Sequence, residues 1–170
     1  LDAAGEKMSP TSVVSLRAQD LSLKWAAEDE ILLAEKSSAA FAGSVWRLNL
    51  KSKSLANVID REYGLETSWN KTAETGLAFS AAASGGGSLR LINKDGATLK
   101  ALTLTTMASK CVFAPAPGNE ASGATSSPQD ARKQELLYCA VPRDADKFNA
   151  SSLPDDYLQK AWFTSDDFYR

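Results

Sequence analysis

Short runs of alternating apolar and polar residues punctuate the chain, and they recur at a fixed distance. Leu21-Ser22-Leu23-Lys24-Trp25, Leu65-Glu66-Thr67-Ser68-Trp69 and Ser109-Lys110-Cys111-Val112-Phe113 each end on an aromatic residue. Trp25, Trp69 and Phe113 lie 44 residues apart in succession. Alternation over about five positions marks a half-buried strand. The same offset aligns Gly43–Asn49 with Gly87–Asn93, and Leu55–Ile59 with Leu99–Thr103. Ile31–Lys36 and Gly76–Ala81 also match, after a small difference in the turn before them. Each unit therefore predicts four short strands, joined by turns such as Asn93-Lys94-Asp95-Gly96 and Ser84-Gly85-Gly86-Gly87.

Counting back along the same register extends the pattern. Ile59 and Thr103 each end a last strand ten residues before the next aromatic, as Ser15 does before Trp25. Thr11–Ser15 is thus predicted to be the fourth strand of a preceding unit, with Gly5-Glu6-Lys7 in the turn before it. The third unit is swollen. Its second strand, Glu135–Val141, follows a Pro/Gly/Ser/Ala-rich stretch over 114–134 that reads as a surface loop. A second insertion over 142–162 precedes a strand at Phe163–Arg170.

A repeat of four-stranded units is the signature of an all-β fold, a β-propeller of antiparallel blades. About three blades are present, as a partial ring or as half of a six-bladed one. The expected organisation is a single partial propeller over 1–170. Residues 1–15 carry the last strand of a preceding blade, followed by blades at 16–59, 60–103 and 104–170.

Composition narrows the chemistry. Histidine is absent, which removes Ser-His-Asp and Cys-His catalysis and His-based zinc sites from these residues. Two cysteines are too few for a Cys₄ metal site. No catalytic residue, metal ligand or cofactor is expected. The net charge of −2, with both signs scattered, argues against a nucleic-acid partner. No apolar stretch approaches the length of a membrane span.

The pattern Ser68-Trp69, a turn, Gly76-Leu77-Ala78-Phe79-Ser80, then Ser88-Leu89-Arg90-Leu91-Ile92 with Asp95-Gly96 resembles the repeat of TolB-like (WD40-like, PD40) β-propellers. The first turn departs from the Pro-Asp-Gly of that repeat, at Asn70–Glu74 and at Ala26–Glu30. Ser109–Phe113, Leu136–Pro142 and Leu153–Tyr157 are similar to segments of uncharacterised bacterial propeller proteins carried behind an N-terminal anchor. The resemblance covers about residues 5–170. It implies a bacterial, extracytoplasmic protein whose parent chain continues into further blades.

Several residues stand out. Cys111 and Cys139 fall on neighbouring strands of one blade, where they form either a disulfide or two buried thiols. Trp25, Trp69 and Phe113 repeat too strictly for a binding face and read as packing positions between blades. Asp155, Asp156, Tyr157, Trp162 and Phe163 give the second insertion an acidic and aromatic character. Long loops on rigid scaffolds often carry recognition, so these five are the candidate binding residues. Asp155–Asp156 and Asp166–Asp167 lack EF-hand spacing and read as a solvated acidic surface rather than a calcium site. The connections Asp60–Tyr63 and Leu104–Met107 differ between repeats and are expected to face solvent.

The functional expectation is a non-catalytic extracytoplasmic module that binds a protein or an extracellular ligand, or that assembles. One alternative is a regulatory propeller of a prolyl-oligopeptidase-like hydrolase, with catalysis outside these residues. Another is a structural subunit that self-associates through open blade edges.

Overall fold

The computed structural model of the chain describes residues 11–18, 20–115 and 135–170. They form an all-β structure with eleven strands in three antiparallel sheets and two short helices. The first sheet holds β1 (Leu21–Ala27), β2 (Glu30–Glu35), β3 (Ala42–Asn49) and β4 (Ser54–Tyr63) in sequential order. The second repeats that order with β5 (Glu66–Trp69), β6 (Thr75–Ala81), β7 (Gly87–Asn93) and β8 (Thr98–Leu102). A single 3-10 turn, Ala108–Lys110, then leads into the third sheet. Its strands are β9 (Cys111–Pro115), β10 (Glu135–Pro142) and β11 (Asp166–Tyr169), with β10 in the centre. Between β10 and β11 lie α1 (Ala145–Ala150) and α2 (Asp155–Leu158).

Pairing follows the repeat. Trp25 stands opposite Ile31 in β2, and Trp69 stands opposite Gly76 in β6. Leu33 pairs with Trp46 in the first sheet, and Ala78 with Arg90 in the second.

Alternation gives each sheet two apolar faces, and the sheets stack through them. Leu32, Val45 and Ile59 of the first sheet pack with Trp69, Ala78 and Ile92 of the second. On its opposite face, the second sheet sets Leu77, Phe79 and Leu89 against Cys111, Cys139 and Val141 of the third. Polar groups bind the same junctions. Lys24 donates to the carbonyls of Trp69 at 2.7 Å and Asn70 at 3.4 Å. Arg90 forms an ion pair with Glu62 at 2.6 Å, and both side chains are largely shielded. Arg47 pairs with Glu30 at 2.8 Å and also donates to the carbonyl of Ala73 at 2.9 Å.

Four expectations change. Residues 11–18 form no strand, and Val13 and Val14 are exposed. Among the described residues no strand pairs with this run, so the apolar alternation has no ladder to join. Gly5–Lys7 and the greater part of the 114–134 stretch lie outside the described residues. The 142–162 insertion carries α1 and α2, although neither is long enough to show helical periodicity in sequence. Thr106 and Met107 are fully buried beneath the third sheet, and Thr106 donates to the carbonyl of Ala140 at 2.6 Å.

The last correction concerns the repeated aromatics. Trp69 is 8% exposed, and Phe113 is half-buried against the second sheet, but Trp25 is 63% exposed. Trp25 lies on the face of β1 opposite Lys24, away from the second sheet. No sheet among the described residues covers that face, so the packing position has nothing to pack on.

Candidate functional site

The insertion between β10 and β11 folds back onto the sheets through its aromatic residues. Asp144 caps α1 by accepting from the Lys147 N–H at 2.8 Å, satisfying one of the free donors of the first turn. That orients Phe148, the one buried residue of α1, into the core. Phe148 meets Phe79 edge-on with ring centroids 6.3 Å apart, and Trp162 at 6.0 Å. Trp162 in turn meets Tyr157 of α2 at 6.1 Å. Stacked and edge-to-face pairs of this kind contribute beyond the area they bury.

This aromatic row ends on a cation. The Lys110 ammonium lies 5.2 Å from the Tyr157 ring centroid and 5.8 Å from that of Trp162. It donates to Asp166 at 2.7 Å and to the Thr164 hydroxyl at 2.8 Å, and its side chain is only 6% exposed. Such a charge is tolerated inside a protein only when paired. Burial on its own would raise the Asp166 carboxyl. The polar contacts with Lys110 and Thr164, together with the ammonium's charge, outweigh it and hold the group below its ordinary value.

Above this pair opens a cavity of about 660 Å³, lined by Tyr157, Leu158, Lys160, Trp162, Phe163, Thr164 and Asp166. Phe163 and Leu158 stand exposed on its rim, while Trp162 forms inner wall. Of the candidate residues, the structure therefore brings Tyr157, Trp162 and Phe163 to one place. Asp155 and Asp156 do not join them. Asp155 accepts from the Ala39 N–H at 3.1 Å, and Asp156 from the Ser152 N–H at 2.8 Å. Both are half-buried and hold backbone, which corrects the expected solvated acidic surface.

Lys110, Thr164 and Asp166 complete the site. In the sequence Lys110 carries one signal: it aligns with Glu66 one repeat earlier, with the charge reversed. Its partners lie more than fifty residues away, beyond the reach of any local pattern.

Cys111 and Cys139 stand directly opposite each other on β9 and β10 and are joined by a disulfide. The bridge lies within the core between the second and third sheets. A second cavity, of about 340 Å³, opens where β1 begins, β2 ends and β5 begins. Glu66 lines it and accepts from the Ser109 hydroxyl at 2.8 Å and from the Ser109 N–H at 3.3 Å. Desolvation raises its pKa, while those two hydrogen bonds oppose the shift. No group of three or more metal-ligating side chains is present among the described residues. Among the described residues no helix is long and apolar enough to cross a membrane.

No family model, curated protein or solved structure matches the chain.

Proposed function

We propose that the chain is an arc of a TolB-like β-propeller and works as a non-catalytic module for binding and assembly outside the cytoplasm. The observation that carries this reading is the series Trp25, Trp69 and Phe113. The second and third members sit where one sheet packs on the next, and the first occupies the same position on an open face. That face is built to receive one more sheet of the same kind. A fully buried indole removes about 150–250 Å² from water; Trp25 still exposes 63%, so covering the rest is worth about 2–4 kcal/mol at about 25 cal/mol per Å². The far end of the stack supports the same view, since Val112 and Phe168 stand exposed on the outer side of the third sheet.

The disulfide supports an oxidising compartment. The lack of histidine supports a role in binding rather than catalysis. The aromatic cavity of the insertion is the favoured place for a ligand. Self-assembly is the second reading, favoured by the same two open apolar faces.

Trp25→Glu in the assembled protein is the deciding experiment, read by light scattering and thermal unfolding. On this reading the variant loses mass or melts markedly lower, because a buried carboxylate replaces an inter-sheet indole. Unchanged mass and unchanged melting would sink the propeller reading.

A further inference from the structure

Among the described residues the third sheet is one strand short of the other two. β4 pairs along the outer edge of β3, and β8 along the outer edge of β7. β11 stands third in its sheet, as β3 and β7 do, but only β10 pairs with it. The other edge of β11 is a row of backbone N–H and C=O groups, a template for one more strand. A second segment has the opposite need. Thr11–Ser15 aligns with Leu55–Ile59 of β4, and one repeat further with Leu99–Thr103, which overlaps β8. Yet it joins no sheet. Val14 falls on the position of Val58 and Leu102, each of which packs into the junction with the following sheet. Here Val13 and Val14 are exposed.

We infer that residues 11–15 of one copy of the chain pair with the open edge of β11 in a second copy, as the fourth strand of its third sheet, and that the exchange is reciprocal. The segment cannot serve its own β11. Residues 16–20 tie it to the start of β1 and span at most about 20 Å. The third sheet lies two packing steps from the first, about 20 Å in a straight line, and the second sheet blocks that line. A neighbouring copy has no such limit. Once its segment completes the third sheet, the residues that follow carry its first sheet onto that sheet, as those after β4 carry the second sheet onto the first. Leu23 and Trp25 then meet the face of Val112 and Phe168, so the pairing that fills the edge also covers both open apolar faces. Two copies contribute six sheets, within the roughly four to eight that close a ring. Reciprocity closes the assembly and leaves neither β11 edge open.

This inference rests on the assembly reading and names its partner as a second copy of the chain. The test combines light scattering over a concentration series with hydrogen exchange of the segments 11–15 and 166–169. The unaltered protein is expected at twice the chain mass with both segments protected. Val14→Asp lies in a run that no sheet of its own chain contains. It is expected to raise the dissociation constant at least about hundredfold, since association would bury the new charge, and to expose both segments together. The paired change Ser12→Pro and Val13→Pro should do the same without adding charge, because one of two successive N–H groups must point at the partner strand. Protection of β2, β6 and β10 should persist in both variants, which separates lost exchange from lost fold. A mass of one chain for the unaltered protein, or one that climbs past two, overturns the proposal. So does a dimer that survives both variants or leaves 166–169 unprotected. If Trp25→Glu still dissociates that dimer, the apolar faces assemble without exchange and the broader reading stands.

Discussion

Trp69 rests its indole directly over Gly76, its cross-strand partner. A Cβ at Gly76 would stand 2.5 Å from Cε3 of the ring and 2.8 Å from Cδ2. Glycine therefore opens the seat that lets this tryptophan lie against its own sheet. The equivalent partner of Trp25 is Ile31, whose branched side chain occupies that seat.

Gly76→Ala should consequently displace the Trp69 ring. Overpacking of this kind costs about 1–3 kcal/mol. Urea unfolding checks the loss, and a shift in tryptophan emission checks that the ring has moved.

Trp69→Ala and Trp25→Ala should differ sharply in the isolated chain. The first empties a buried inter-sheet position and should cost about 3–5 kcal/mol. The second removes an exposed ring and should stay within about 0.5 kcal/mol. Equal losses would mean that the two tryptophans share one environment, against the burial described above.

The contrast also shows what the sequence can and cannot reveal. Trp25 and Trp69 occupy identical places in the repeat, and the strands around both were legible from alternation, down to Gly87–Asn93 as β7. Burial, however, belongs to the neighbouring sheet and not to the residue, so no local pattern distinguishes a covered tryptophan from an open one. Thr11–Ser15 failed for the same reason, because a strand needs a partner as well as alternation. The candidate site was half legible. Tyr157, Trp162 and Phe163 announced themselves by composition, whereas Lys110 reaches them only through the fold. Asp155 looked like a free carboxylate because backbone capping across 116 residues leaves no trace in local sequence, whereas Asp156 caps the Ser152 N–H only four residues back.

Removing the disulfide by the paired change Cys111→Ala and Cys139→Ala should lower stability by about 3–4 kcal/mol. That figure follows from the 28-residue separation and the loop-closure entropy of the unfolded chain. The denaturation midpoint under non-reducing conditions is the check. A loss well below 1 kcal/mol would show that the bridge constrains little.

Two carboxyl groups should impose opposite pH dependences. Glu66 has a raised folded pKa, so the folded protein takes up its proton first as pH falls. Stability should rise through that window, down to the ordinary value of 4.5. Asp166 has a lowered folded pKa, so its contribution is present above 3.8 and is lost as pH falls through the folded value. Denaturation midpoints for Glu66→Gln should lack the rise, and those for Asp166→Asn should lack the acid-side fall.

The insertion between β10 and β11 touches every sheet. Asp155 holds the Ala39 N–H in the turn after β2, the Ser151 carbonyl accepts from Gly86 N–H at 2.8 Å beside β6 and β7, and Thr164 meets Lys110 just before β9. It is therefore a cross-brace. Twisting the first sheet against the third must shear these two short helices, so torque passes through them as well as through the packed faces.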